Sequence, residues 1–339
     1  MIAMMEGRPT DRLPFMPITM MFAADRIGAK YGQYANDHRV LVEAQLRVAE
    51  GFDIDTVSTI SDPAREAADY GADIEWFEDQ PPALVEAQSL LAERGRLASL
   101  KPIDPLGGGR IHDRVQGVER LRRSVGNEKA VEGWVEGPCA EASDLRGINR
   151  LMLDFHDAPE FVDDLFSFIV DNALVCAQAQ LDAGADYIGV GDAAASLVGP
   201  KIYEHFVWPY EKKLINGIHS AGGKVRLHIC GSIRRIADRV ATLGSDMVDI
   251  DYPVPMREAR AKMGPAHTLA GNLDPVNVVR NGTPESITAA LEDCFEAAGP
   301  RYIVGAGCEI VRDTPDQNLR AMLNFARSRE LVSDCQPSL

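Results

Sequence analysis

Short apolar or alternating runs, each about the length of a β-strand, recur along the chain and are mostly separated by segments of helical period. They are Leu13–Ile18, Asp53–Ser58, Ala130–Glu136, Ala185–Gly191, Lys224–Cys230, Asp246–Asp251, His267–Asn272 and Arg301–Gly307. Thr283-Pro284 supplies a helix start, with a capping hydroxyl and a proline at the first helical position. Thr314-Pro315-Asp316-Gln317 predicts another, with an acid in the first turn and a capping box closed by Gln317. Strands alternating with helices predict an α/β protein whose parallel sheet closes as a (β/α)8 TIM barrel. An open doubly wound sheet is the alternative topology.

The stretch from Thr59 to Lys129 departs from this rhythm. Its IEWFEDQPPALVEAQSLL segment reads as a small hairpin, and Gly107-Gly108-Gly109 reads as a flexible hinge. The pattern predicts a single domain over residues 1–339, with an insertion after the second strand. No strand–GxGxxG–helix or GxxxxGK[ST] pattern supports a dinucleotide or P-loop site.

Charge narrows the partners. Lys and Arg number 35 against 51 Asp and Glu, a formal net charge of −16. So acidic a chain is repelled by duplex nucleic acid and by anionic membranes, so neither is expected as a partner. No apolar run approaches a membrane span, and the N-terminal residues lack the apolar core of a signal peptide. The cysteines, Cys139, Cys176, Cys230, Cys294, Cys308 and Cys335, are too sparse and irregular for a disulfide scaffold. A reducing cytoplasm is the expected compartment.

The run Lys224–Cys230 is the informative one. Side chains alternate along a strand, so Arg226, His228 and Cys230 share one face and Val225, Leu227 and Ile229 the other. In a barrel the polar set faces the axis, and His228 and Cys230 sit at the carboxyl rim where catalytic groups gather. The last strand runs directly into Cys308, 78 residues beyond Cys230, on the same rim. One imidazole and two thiols suit Zn2+, and three protein ligands leave a position open for substrate. Asp249 and Asp251 alternate inward on the neighbouring strand as candidates for a fourth, displaceable ligand. Cys139, after the third strand, is a reserve ligand. Cys176 and Cys294 read as core packing, and Cys335 as an exposed tail residue. Asp62, Asp192 and Asp251, with Asp249, Asp274 and Glu309, make an acid-rich rim able to orient ligands or accept a thiol proton. Asn272, at the end of the seventh strand, is a further choice.

The chain resembles the uroporphyrinogen decarboxylase superfamily along nearly its whole length. The resemblance rests on Pro9-Thr10-Asp11-Arg12-Leu13-Pro14, Ser61-Asp62-Pro63, Glu136-Gly137-Pro138, Leu145-Arg146-Gly147 and Gly271-Asn272-Leu273-Asp274-Pro275. It implies a (β/α)8 barrel and two possible chemistries. The decarboxylases carry an arginine-rich N-terminal motif of the form RQAGRYLPEY and need no metal; Asp62 would be their key acid. Here residues 1–25 hold only Arg8 and Arg12. The zinc-dependent corrinoid:thiol (coenzyme M-type) methyltransferases carry HxC and a distant Cys. His228-Ile229-Cys230 and Cys308 resemble that pattern. The resemblance implies zinc on His228, Cys230 and Cys308, a methyl-corrinoid protein as partner, a small thiol as acceptor and a possible homodimer. Glu136 and Asn272 are then the candidates for contacting the corrinoid. A tetrapyrrole decarboxylase and a corrinoid:tetrahydrofolate methyltransferase are the alternatives.

Overall fold

Residues 1–329 are described by a computed structural model; Cys335 lies outside them. The main sheet runs in chain order through β1 (Thr56–Ser58), β2 (Ala130–Glu136), β3 (Tyr187–Gly191), β4 (Lys224–His228), β5 (Met247–Ile250), β6 (Thr268–Leu273) and β7 (Tyr302–Ala306). Every neighbouring pair is parallel. The helices that bear on the argument are α1 (His38–Gly51), α2 (Arg110–Val125), α3 (Pro138–Arg146), α4 (Pro159–Asp182), α5 (Trp208–Ser220), α6 (Pro284–Ala298) and α7 (Asp316–Ser328).

Seven of the eight expected strands form. The exception is Leu13–Ile18, which makes only isolated bridges, Phe15 to Val304 and Ile18 to Glu309. Pro14 and Pro17 have no N–H to give, so a continuous ladder cannot run through them. What remains still spans both edges of the sheet. The Pro14 carbonyl accepts from Val304 N at 2.9 Å, Met16 N donates to the Val304 carbonyl at 2.9 Å, and the Phe15 carbonyl accepts from Asp55 N at 3.0 Å. A segment bonded to β7 on one side and to the residue before β1 on the other requires the sheet to curl.

The strands β2, β3, β5, β6 and β7 are buried at every position. That is the state of a parallel sheet covered on both faces, and it explains why these runs read as nearly continuous apolar stretches. On α4, Val162, Leu165, Phe166, Ile169, Val170, Ala173, Cys176 and Ala177 recur at helical spacing and are all buried. Each large apolar side chain on such a stripe stabilises by about 1.5–3 kcal/mol. Cys176 is part of this packing, as is Cys294 on α6. Among the described residues, no helix is long and apolar enough to cross a membrane.

Local signals succeed and fail for identifiable reasons. Thr283 caps α6, accepting from Ser286 N, and Ser286 Oγ accepts from Thr283 N at 2.9 Å. At α7 the expected box is absent. The N-cap is Pro315, whose backbone is extended, and Thr314 is displaced one residue upstream of a capping position. The expected hairpin is present as Ile74–Glu75 paired antiparallel with Ala83–Leu84. The glycine run is not a simple hinge. Asp69 accepts from Arg110 N and Ile111 N at 2.8 Å each, capping α2. A Cβ on Gly109 would sit 2.5 Å from that carboxylate, so the glycine admits the cap.

Candidate metal centre and its cavity

Strand register builds the site. Glu136, Gly191, His228 and Asp249 are successive partners across β2, β3, β4 and β5, one row at the carboxyl ends of the strands. One row deeper lie Trp134, Gly189, Arg226 and Met247. On β4 and just beyond it, Val225, Leu227 and Ile229 join the hydrophobic core, which leaves Arg226, His228 and Cys230 for the other face. The glycines of β3 have a steric reason. A Cβ at Gly189 would lie 2.2 Å from Trp134 Cε3, and one at Gly191 2.6 Å from Trp134 Cζ2, so the indole lies across both.

Cys230 and Cys308 follow the ends of β4 and β7 and turn toward His228. His228 Nε2 lies 3.0 Å from Cys230 Sγ and 3.9 Å from Cys308 Sγ, and the two sulfurs are 3.9 Å apart. A tetrahedral zinc with one nitrogen and two sulfur donors holds them about 3.6–3.8 Å from one another. The donor set and the two 3.9 Å separations suit such an ion, while His228 and Cys230 stand closer and would part to admit it. The other ring nitrogen, Nδ1, bonds to Asp249 Oδ2 at 3.0 Å, and Arg226 Nε bonds to the same oxygen at 2.8 Å. A carboxylate on Nδ1 fixes the ring and leaves Nε2 for a metal. Asp249 is therefore on the wrong edge of the imidazole to be a fourth ligand, and it serves as the support for His228 instead.

The local charges follow from these contacts. Burial opposes charge on Asp249, but Arg226 and His228 outweigh it and hold the carboxyl down at about 2. Burial also opposes charge on His228, yet its bonds to Asp249 and Cys308 raise it to about 10. Cys308 is drawn down to about 4 by its bonds with Cys230 and His228, which prevail over burial, while Cys230 is pushed up by Cys308 and by burial. A cation entering this site would take the place of the protons shared among these donors.

The trio opens into a cavity of about 220 Å³ walled by Ile18, Met20, Ile60, Pro63, Pro81 and Trp134, with Asp62, Glu136 and Glu309 as its acids. Asp62 is buried and gripped by Arg110, Nη1 to Oδ1 at 2.9 Å and Nη2 to Oδ2 at 2.8 Å, with Ser61 Oγ at 2.8 Å. Burial works to raise its carboxyl, and the Arg110 contacts overcome it and hold it below the usual range. Glu136 is raised well above that range by burial and by the charge of Glu66, and it accepts from Trp134 Nε1 at 2.8 Å. Glu309 rises to about 7, chiefly through burial, and accepts from Met21 N at 2.7 Å.

The remaining candidates stand behind this wall. Asp251 accepts from Gly231 N at 2.6 Å and Tyr252 N at 2.7 Å, bracing the turn after Cys230. Asp192 is fully buried and accepts from Ala140 N at 2.6 Å at the start of α3. Asn272 Nδ2 donates to the Val254 carbonyl at 2.6 Å, and its Oδ1 accepts from Cys294 Sγ at 3.4 Å. Cys139, the reserve ligand, is fully buried on α3 and apart from the trio. A second grouping, Asp37, His38 and Asp113, also has metal-ligand spacing, but its carboxylates are paired with Arg39 and Arg65.

The sequence matches the family model for uroporphyrinogen decarboxylase (URO-D) over residues 1–329. The chain belongs to the uroporphyrinogen decarboxylase family. Among its relatives is a methylcobamide:CoM methyltransferase of Methanosarcina mazei, 27% identical over 95% of this chain and 94% of the relative. A uroporphyrinogen decarboxylase of Synechococcus sp. (strain CC9605) is 28% identical over 84% of this chain and 82% of the relative. In structure, a methyltransferase from Methanosarcina mazei superposes with a TM-score of 0.84 at 20% identity, covering 96% of each chain.

Within this family frame, three features escaped sequence reasoning. Arg110 grips Asp62 from 48 residues away, and only the fold brings them together. Trp134 reads as an ordinary strand aromatic, yet its ring forms one wall of the cavity. The support of His228 by Asp249 was within reach: aligning two predicted neighbouring strands in register pairs the two residues directly.

Proposed function

We propose that this chain is a zinc-dependent methyltransferase that moves a methyl group between a methyl-corrinoid, carried on a partner protein, and a small thiol. His228, Cys230 and Cys308 would hold the zinc, on a closed (β/α)8 barrel forming one domain with the hairpin region as an insertion. The observation that carries this is the trio itself, three zinc-compatible donors converging on one point with Nδ1 of His228 tied back to Asp249. The relatives named methylcobamide:CoM methyltransferase support the reaction class.

A free thiol has a pKa of about 8.5, and zinc in this site would present the substrate sulfur as a thiolate at neutral pH. The methyl-corrinoid would be the second substrate: as the new S–C bond formed, the Co–C bond would break and its electron pair would stay with the corrinoid. The thiol proton passes to solvent or to a cavity acid. The chain's own residues position. Asp249 orients His228; Asp251 fixes the turn carrying Cys230; Asp62, locked by Arg110, shapes the wall; Asp192 anchors α3; Asn272 holds the end of β6. Glu136 faces the reacting groups. We place the enzyme in the cytoplasm, free of nucleic acid and membrane, and a homodimer suits it.

The test is metal and sulfur together. One zinc per chain is expected, lost or weakened in Cys230→Ser and in Cys308→Ser, with X-ray absorption showing an added sulfur neighbour when thiol is supplied. Metal-free protein that transfers methyl groups at the full rate overturns the proposal. A second reading, decarboxylation of a tetrapyrrole polyacid, is favoured by the decarboxylase relatives. It predicts turnover of uroporphyrinogen by the metal-free protein. Against it, no Lys or Arg lines the cavity among the described residues, leaving the carboxylates of such a substrate without partners.

A further inference from the structure

We propose that the hairpin tip, residues 76–82, is a latched cover over the metal cavity, with Asp79 as its latch, and that it lifts to let a methyl-corrinoid approach. The last part rests on the proposed reaction; the cover and its latch rest on geometry. Pro81 lines the cavity together with His228, Cys230 and Cys308, so the tip closes part of its wall. A volume of about 220 Å³ admits a small thiol. It falls below the ~300–1,000 Å³ of a pocket that encloses a drug-sized ligand, and a corrin ring is larger again. For a methyl carbon on cobalt to come within about 3–3.5 Å of a sulfur in this cavity, part of the wall has to yield.

Most of the wall is rigid. Ile18, Ile60 and Trp134 are buried and packed on one another. The tip is built differently. Its flanking strands, Ile74–Glu75 and Ala83–Leu84, are two residues long and form a sheet of their own, apart from the main one. Trp76 and Phe77 are 50% and 38% exposed. Short ladders and exposed apolar side chains mark a segment that opens locally while the core stays folded.

What holds the tip down is polar and near the surface. The Glu78 carbonyl accepts from Gly32 N at 3.0 Å and Asp79 Oδ1 from Tyr31 N at 3.1 Å, so the tip caps the helix Tyr31–Asn36. Asp79 also pairs with Lys30 Nζ at 3.2 Å and with Arg312 Nη2 at 3.2 Å, on the loop that carries Cys308 and Glu309. Trp76 rests against Arg110, its ring centroid 5.1 Å from the guanidinium carbon. Exposed ion pairs contribute little each, so this latch releases without unfolding the barrel. Gly32 makes the fit possible, because a Cβ there would stand 2.5 Å from the Phe77 carbonyl oxygen.

Two variants release the cover by different means. Asp79→Ala removes the latch; Gly32→Ala pushes the tip away by contact while favouring the helix it sits in. Hydrogen exchange on the full chain, followed by mass spectrometry, reads the opening. The amides of Tyr31 and Gly32 should exchange well before those of β3, and Asp79→Ala should speed them by roughly three- to tenfold, the scale of one or two exposed ion pairs. In the metal-free protein, iodoacetamide should alkylate Cys230 and Cys308 readily and a maleimide on a long polyethylene-glycol chain slowly. Both variants should speed the bulky reagent selectively. Glu258→Ala, which breaks an exposed pair with Arg234, should leave both rates alone. Exchange at Tyr31 and Gly32 as slow as in β3, or a bulky-to-small rate ratio that neither variant moves, overturns the cover. Methyl transfer from free methylcobalamin to 2-mercaptoethanol or 2-mercaptoethanesulfonate by the zinc-loaded protein tests the purpose. Both variants should lower KM for methylcobalamin more than KM for the thiol. An unchanged KM for methylcobalamin beside faster labelling overturns the gating of the corrinoid. No transfer by any of the proteins, with labelling still dependent on the latch, counts against the methyltransferase reading and leaves the cover standing.

Discussion

Asp249 shows how one side chain decides what another can do. It takes Nδ1 of His228 and lies beside Arg226, so the ring presents Nε2 to the two sulfurs. Asp249→Asn keeps the shape but removes the charge that fixes the ring and balances Arg226. Zinc affinity, measured by competition with a chelator of known strength, should fall by about 10–100-fold. Asp62 works differently, because its partner is Arg110 and not the trio. Its carboxyl titrates below the unfolded value, so the ionised folded form contributes stability at pH values above the usual carboxylate range. That contribution is lost as pH falls through the lowered folded value. Asp62→Asn should cost roughly 3–5 kcal/mol near neutral pH by stranding Arg110. The difference in denaturation midpoint from the unaltered protein should shrink as pH drops below about 4. A gap independent of pH would show that the pair does not carry this stability.

Among the elements, β3 is the one whose composition the site dictates. Gly189 and Gly191 are silent in a reading of propensity, where glycine merely weakens a strand. Their reason is the indole of Trp134, which lies where their side chains would be. Gly189→Ala should destabilise by about 1–3 kcal/mol through overpacking. The same change displaces Trp134 and the Glu136 it bonds, so it should impair methyl transfer beyond what thermal melting alone accounts for. At α6 the Thr283 cap is local and self-contained, and Thr283→Ala should cost about 1 kcal/mol without touching activity. Comparing the two variants by melting and by kcat/KM separates an element that only supports the fold from one that also shapes the cavity.

On the scale of the whole molecule, the candidate ligands come from distant parts of the chain, so a bound zinc would join β4 to β7 and stabilise the folded state that brings them together. With free zinc at about 1,000 times its dissociation constant, the gain is about 4 kcal/mol, which should appear as a higher melting temperature that chelation reverses and Cys308→Ser abolishes. Strand periodicity made seven of the strands legible, because burial on both faces of a parallel sheet demands nearly continuous apolar runs. It misread Leu13–Ile18, since two prolines leave an apolar segment unable to form a ladder. The alternation on Lys224–Cys230 was enough to put His228 and Cys230 on one side, because side-chain direction along a strand is a local property. The position of Cys308 within 3.9 Å of both and the clamp of Arg110 on Asp62 were not local. Those depend on which strand ends the curl of the sheet brings together, and on which side chains lose their water there, and only the folded chain decides either.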